Sequence, residues 1–183
     1  MRLALILASF LIAQPTFAAD DNDVDPGGTL NPDEMTLTRS FNLAKKGKVD
    51  MVICAQGYLM TKKGSHEEAR TIFEACAKKG YVGAMTWLSY METNGFGANE
   101  NAEKAAEWDL KASKAGDPIG DLNHGLNLLR GHGVKQNEAM AKQFIDRAAK
   151  AGVKEAIAVQ KSGYDWNVVT PDADNWRYEK RVF

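Results

Sequence analysis

The residues that could carry metal or acid–base chemistry in this 183-residue chain include three histidines at unrelated positions. His66, His124 and His132 form no pair at the spacing of zinc ligands, and no cysteine stands beside any of them. His132 lies between two glycines, a context typical of a turn. The sequence therefore predicts no metal site, no cofactor and no catalytic histidine.

An acidic segment near the N-terminus is similar in composition to a calcium-binding loop. Asp21, Asp23 and Asp25 alternate as the first ligands of such a loop do. However, Pro26 occupies the position where that loop requires glycine, and no acidic side chain follows at its twelfth position. We interpret residues 20–31 as an acidic, flexible arm rather than as a cation site.

The first 19 residues have the pattern of a secretory signal peptide. Arg2 supplies the positive charge, Leu3 to Ala13 form an apolar run too short to span a bilayer, and small residues precede Asp20. Cleavage after Ala18 or Ala19 would leave a chain without a stable membrane span, in the periplasm or secreted. The net charge of -1 argues against nucleic acid as the partner, because that function needs a basic surface.

The elements that position the remaining residues follow from an internal repeat. Two stretches superimpose at a shift of 36 residues, as the pairs 105/141 and 116/152 illustrate. The landmarks of the first stretch are Gly95, Gly97, Ala105, Trp108, Ala112 and Gly116, and those of the second are Gly131, Gly133, Ala141, Phe144, Ala148 and Gly152. A period of this size is typical of stacked helical hairpins, each of which buries its apolar face against its neighbours.

The predicted fold is all-α: a right-handed α/α solenoid of about three helix-turn-helix repeats, occupying residues 32–162. A lone second-type helix capped at Asn31 opens the stack, and a first-type helix at about 153–162 closes it. Between them we expect helix pairs at about 48–79, 82–115 and 118–151. Residues 163–183 are predicted to form an irregular tail that carries Trp166, Trp176, Tyr178 and Phe183.

The same landmarks carry a family resemblance. Residues 84–116 and 120–152 resemble Sel-like repeats, the longer-loop relatives of tetratricopeptide repeats, whereas Gly57, Gly64, Ala69, Phe73 and Cys76 show the shorter tetratricopeptide spacing. The resemblance implies an exported bacterial solenoid that scaffolds or recognises other proteins, often in the cell envelope. It implies no reaction.

Some cysteine-rich secreted members of this family have been described as binding β-lactams or resembling β-lactamases. That chemistry would need a Ser-x-x-Lys pair, and no serine after residue 19 has lysine three positions on. Lys161-Ser162-Gly163 is similar to a third motif of those enzymes but is better explained as a helix end. We therefore predict that the protein is not an enzyme.

Cys54 and Cys76 are the only cysteines of the chain. An even count in an exported protein favours a disulfide, and the repeat register places the two residues on the antiparallel helices of one unit. Cys76 also occupies the small, buried position of Ala112 and Ala148, so a packed free thiol is the alternative.

The first helices of tetratricopeptide-type stacks line the concave face, where ligands bind. The register places Cys54 and Tyr58, then Thr86, Tyr90 and Thr93, and then Leu122, Leu126 and Leu129 on that face. Three leucines on an open surface would mark an interaction site, unless the chain's own C-terminal part covers them. The candidate partner-binding residues are therefore Tyr58, Thr86, Tyr90, Leu122, Leu126 and Leu129.

Two functions without catalysis remain open from the sequence, and a β-lactam-binding or hydrolytic enzyme is the third, less favoured alternative. The first is a periplasmic scaffold or regulator that binds another protein or peptide in the cell envelope. The second is an immunity or inhibitor protein that neutralises a secreted toxin, as some Sel-like periplasmic proteins do.

Overall fold

The computed structural model describes residues 36–169, which form eight α-helices, one short 3₁₀ turn and no strand. The helices are α1 Leu37–Lys45, α2 Met51–Lys63, α3 His66–Lys78, α4 Val82–Asn94, α5 Ala102–Lys114, α6 Pro118–Arg130, α7 Glu138–Lys150 and α8 Lys154–Lys161, followed by the 3₁₀ turn Trp166–Val168. The all-α prediction is confirmed. The predicted signal peptide, acidic arm and calcium-like loop lie outside the described residues, as do Trp176, Tyr178 and Phe183.

The helices pack in chain order, each against the next, as in an α-helical repeat solenoid. The three pairs are α2 with α3, α4 with α5, and α6 with α7. Helix α1 packs against both α2 and α3 at the N-terminal end of the stack. It begins at Leu37, where Thr36 has extended backbone and its hydroxyl accepts the Arg39 N–H at 3.2 Å, whereas the predicted cap Asn31 lies outside the described residues.

The second and third pairs are connected by loops with the same hydrogen bonds. The side chains of Asn101 and Asn137 cap α5 and α7 by accepting the N–H groups of Lys104 and Met140. Their own N–H groups donate to the carbonyls of Glu92 and Leu128, at 2.8 and 2.9 Å. In the first pair, only Gly64 and Ser65 separate the helices. The shorter connection that the sequence predicts between the helices of this pair is therefore confirmed.

Each of the two long loops contains one glycine that allows the loop to approach the second helix of the preceding pair. A Cβ at Gly97 would lie 2.7 Å from the His66 carbonyl oxygen, and one at Gly133 would lie 1.9 Å from that of Ala102. Both glycines also have positive φ, +72° and +67°. The loops therefore lock neighbouring repeats together through backbone contact.

The first pair is also fastened covalently. Cys54 on α2 and Cys76 on α3 form a disulfide with a Cα–Cα distance of 5.9 Å, as the sequence predicted. Cys76 is fully buried, like Ala112 and Ala148 at the same register position. The bridge thus stabilises the pair that lacks the long connecting loop.

Replacing Gly133 by alanine should destabilise the protein by about 2–4 kcal/mol, because the positive φ costs about 1 kcal/mol and two backbones must also move apart. Gly116→Ala is the matched control, since Gly116 has φ +89° but no atom within 4 Å of the added Cβ. Urea unfolding of both variants measures the difference. Equal losses would show that the loop contact contributes no stability.

Removing the disulfide with Cys54→Ala/Cys76→Ala should lower the free energy of unfolding by about 3 kcal/mol, because the bridge closes a loop across 22 residues. A reducing agent should lower the melting temperature of the wild type and leave that of the variant unchanged. Two free thiols in the denatured, unreduced wild-type protein would contradict the bridge.

Candidate protein-interaction surface

The helix caps fix which residues of the first helices are equivalent. The N-caps of α2, α4 and α6 are Asp50, Tyr81 and Asp117, and their C-caps are glycines with left-handed backbone. Counted from these caps, the inner face has three rows, which we call the inner-face set: Ala55, Thr86 and Leu122; Leu59, Tyr90 and Leu126; Lys62, Thr93 and Leu129. Leu59, and not Tyr58, is therefore the counterpart of Tyr90.

The C-terminal part of the inner-face set is covered. Leu122, Leu126 and Leu129 are buried, and the chain's own Tyr164 and Val169 pack against the same apolar cluster. The Trp166 ring lies 5.6 Å from the Arg130 guanidinium at the end of α6. These leucines, predicted as partner-binding residues, are thus not accessible in this structure.

The N-terminal part of the inner-face set is open. Leu59 is 52% exposed and Tyr90 is half-buried, whereas Thr86 is buried and its hydroxyl donates to the Gly83 carbonyl. The accessible part of the inner-face set is therefore confined to α2 and α4.

A row of aromatic side chains lies beside this open part and joins the two helices. Tyr58 contacts Trp87 at 5.2 Å between ring centroids, and Trp87 and Phe96 each contact Tyr90 at 5.5 Å. We call Tyr58, Trp87, Tyr90 and Phe96 the aromatic row; all four are half-buried. The structure thus brings the predicted Tyr58 and Tyr90 together through Trp87. The sequence analysis missed Trp87 as a surface residue, although its spacing of three from Tyr90 was a usable signal.

Phe96 is fixed by a buried ion pair beneath the row. An Arg70 guanidinium nitrogen lies 2.5 Å from a Glu92 carboxylate oxygen, and its other terminal nitrogen donates to the Phe96 carbonyl at 3.1 Å. The His66 ring stacks on Phe96 at 4.6 Å. The positions 36 residues after Arg70 and Glu92 hold Ala106 and Leu128, which cannot form an ion pair. The ion pair that supports Phe96 is therefore a feature of the open end of the stack.

A buried polar layer separates that end from the covered one. Asp109 on α5 is 3% exposed and accepts hydrogen bonds from the amides of Asn123 and Asn127 on α6. The equivalent positions of Asp109 and Asn123 in the preceding pair hold Phe73 and Trp87, whose rings stack at 5.8 Å. The apolar core is accordingly divided into two clusters.

Burial raises the pKa of Asp109 to about 7, even though the Ser89, Asn123 and Asn127 side chains lower it through hydrogen bonds. Burial also raises the pKa of Asp117, whose carboxylate accepts the N–H groups of Ile119 and Gly120. Both carboxyl groups lie where α5 and α6 meet, and not on the open surface.

Two of the three histidines pack against phenylalanine rings. Besides the stacked His66, His124 contacts the edge of Phe144 at 4.8 Å, and burial lowers the pKa of His124. Across residues 36–169, no group of three His, Cys, Asp or Glu side chains is placed to hold a metal ion. In the same range, no helix is long and apolar enough to cross a membrane.

The fold is an α-helical repeat solenoid, and part of the chain matches a known repeat family. Residues 82–117 and 120–153 match the family model of the Sel1 repeat. These two segments are therefore Sel1 repeats, and repeats of this kind are typical of protein–protein interaction modules. No curated protein matches the chain.

Three solved structures have a similar fold. Helicobacter pylori cysteine rich protein B (hcpB) is 20% identical with a TM-score of 0.56, over 73% of this chain and 98% of that one. A Sel1 repeat protein from Oxalobacter formigenes is 22% identical with a TM-score of 0.54, over 71% and 91%. The c5321 protective antigen of uropathogenic Escherichia coli strains is 21% identical with a TM-score of 0.50, over 72% of this chain and 35% of that one.

Asp109→Asn should remove a pH dependence of stability. Between the unfolded pKa near 4 and the folded pKa near 7, the folded state binds the extra proton, so the wild type loses stability as pH rises. The loss from pH 5 to pH 8 is on the order of 2 kcal/mol. The variant should be the more stable protein at pH 8, because the neighbouring amides can rotate to pair with the introduced side-chain amide.

Chemical unfolding at pH 5 and pH 8 measures this effect, with Glu107→Gln on the exposed side of α5 as the matched control. The same pH dependence in both variants would contradict a role for Asp109.

Proposed function

We propose that the protein is an exported protein–protein interaction module of the cell envelope, which binds a partner through the open end of its inner face and catalyses no reaction. The binding surface consists of the aromatic row together with Leu59. The observation that carries this proposal is the row itself: four half-buried aromatic side chains and an exposed leucine on two adjacent first helices.

The composition of this surface supports binding to another protein. Tyrosine and tryptophan dominate binding hot spots, because they bury large areas with few rotatable bonds to immobilise. Here the rings are already held by one another and by the Arg70–Glu92 pair. Such a surface loses little side-chain entropy on association.

Export is supported by two independent features of the chain. The signal-like N-terminus would direct secretion, and the Cys54–Cys76 bridge is a bond that persists in oxidising compartments. We therefore place the module in the periplasm or outside the cell.

Site-specific photo-crosslinking in the native cell envelope tests the proposal. A photoreactive phenylalanine at position 58 or 90 should give one discrete adduct with a second protein, and the same residue at Glu107 on the second-helix face should give none. Within the position-58 protein, Tyr90→Ala should reduce the adduct about tenfold or more, the scale of a hot-spot residue, whereas Tyr90→Phe should retain it.

Circular dichroism must show the same helix content in all of these proteins. An adduct at position 107 equal to that at positions 58 and 90, or no adduct at either tyrosine, would overturn the proposed surface.

A further inference from the structure

The interface between α5 and α6 is bridged by polar side chains, and we call it the polar seam. The Ser113 hydroxyl donates to an Asp121 carboxylate oxygen at 2.5 Å. The amides of Asn123 and Asn127 donate to Asp109 at 3.3 and 2.8 Å. The buried apolar side chains on the two sides of the seam belong to separate clusters. One cluster draws on α1 to α5, and the other draws on α6 to α8.

The preceding interface, between α3 and α4, has an apolar centre. Phe73 stacks on Trp87 at 5.8 Å between ring centroids, and both residues belong to the same apolar cluster. The loop contacts of Gly97 and Gly133 support both interfaces in the same way. The two interfaces therefore differ in their buried side chains, because the seam has a carboxyl group and an amide where the other has two stacked rings.

The carboxyl group of Asp109 is buried in the seam. Its residue is 3% exposed, and no cation among residues 36–169 forms an ion pair with it. Burial, and to a smaller extent the Asp117 carboxylate in the turn between α5 and α6, raises the pKa of Asp109 to about 7. Arg130 at the end of α6 interacts with its charge without a hydrogen bond. On α4, Glu92 is paired with Arg70.

Ionisation of Asp109 weakens the closed seam. The three side chains that donate to the carboxylate are the neutral groups of Ser89, Asn123 and Asn127, so the negative charge is buried without a bonded cation. Between the ordinary pKa of a carboxyl group and the raised pKa of Asp109, the closed seam holds a proton that an open seam releases. The closed form therefore loses stability as the pH rises through this range.

The repeat architecture makes a single interface decisive. Each repeat contacts only its neighbours, so the stability of the stack is close to a sum of terms for the repeats and for the interfaces between them. One weak interface then allows the parts on its two sides to open separately.

We infer that the solenoid consists of two cooperative units, α1–α5 and α6–α8, and that the C-terminal unit opens along the polar seam when Asp109 is ionised. The aromatic row lies in the N-terminal unit. The proposed binding surface therefore remains folded while the C-terminal unit opens.

Hydrogen exchange measured by mass spectrometry tests this inference on the full chain, with the wild type and Asp109→Asn. For each helix, the ratio of the wild-type exchange rate to the variant rate is compared at pH 5 and pH 8. The intrinsic pH dependence of exchange and the titration of His124 on α6 are common to both proteins and cancel in this ratio. From pH 5 to pH 8 the ratio should rise at least about tenfold for α6 to α8 and stay unchanged for α2 to α4.

Two further variants are the controls, and both should exchange as the wild type does. Glu107→Gln changes a carboxylate on the exposed side of α5. Asp117→Asn changes the cap of α6, where the oxygen of the introduced amide can accept the same backbone N–H groups of Ile119 and Gly120. Circular dichroism at pH 5 must show the same helix content in all four proteins.

The outcomes decide between one unit and two. An equal rise for α2 to α4 would show that the chain opens as a single unit, and no rise in any helix would show that the seam stays closed; either result overturns the inference. Loss of the pH dependence in Asp117→Asn, and not in Asp109→Asn, would overturn the role of Asp109. If Asp109→Asn does not fold, the wild type alone must show α6 to α8 accelerating more than α2 to α4 after correction for intrinsic exchange.

Discussion

The stack depends on the close approach of each long loop to the second helix of the pair before it. Gly97 and Gly133 leave no room for a side chain at this contact. Because the approaching groups are backbone atoms, side-chain changes elsewhere can shift it little. The loop length, the capping asparagines and the 36-residue period all follow from the need to reach this contact. The first pair has a two-residue turn instead, and there the disulfide provides the constraint.

Because the backbone arrangement repeats, the buried side chains at equivalent positions of successive repeats can differ in chemistry. We call each set of equivalent buried residues a layer. One layer holds Phe73 and Trp87, the next holds Asp109 and Asn123, and the third holds Ile145 and Val159. Trp87 both packs on Phe73 in its layer and contacts Tyr58 and Tyr90 in the aromatic row. Asn123 instead donates to Asp109, so the next repeat supplies no aromatic side chain to the surface. The position of the candidate surface is therefore a consequence of which layer is aromatic.

The architecture could be predicted from the sequence because it is encoded in local, repeated signals. Glycines, small residues and capping asparagines recur at a fixed shift, and each has a short-range physical cause. The pairing of Cys54 with Cys76 could be predicted because they are the two cysteines of a chain with a signal-like N-terminus. The register of α2 could not be obtained in this way, since its turn is much shorter than the other loops. Leu59 was consequently missed in favour of Tyr58.

Long-range contacts limited the prediction of the surface. The ion pair of Arg70 with Glu92 joins residues 22 apart on different helices and has no counterpart in the next repeat to reveal it. Leu122, Leu126 and Leu129 lie on α6, which packs against α5, α7 and the 3₁₀ turn Trp166–Val168, and the path of that turn has no periodic signal. The sequence analysis did not predict the polar layer, although Asp109 stands at the position equivalent to the apolar Phe73.

The covered leucines also set the extent of any partner's footprint. To bind along the whole inner face, a partner would have to displace the side chains that pack on Leu122, Leu126 and Leu129 and expose these three leucines. Uncovering a buried leucine costs about 1.5–3 kcal/mol, so the displacement would cost several kcal/mol before any new contact formed. The open end around Leu59 and Tyr90 requires no such step. For the surface proposed above, binding confined to α2 and α4 is therefore the arrangement with the lower free-energy cost.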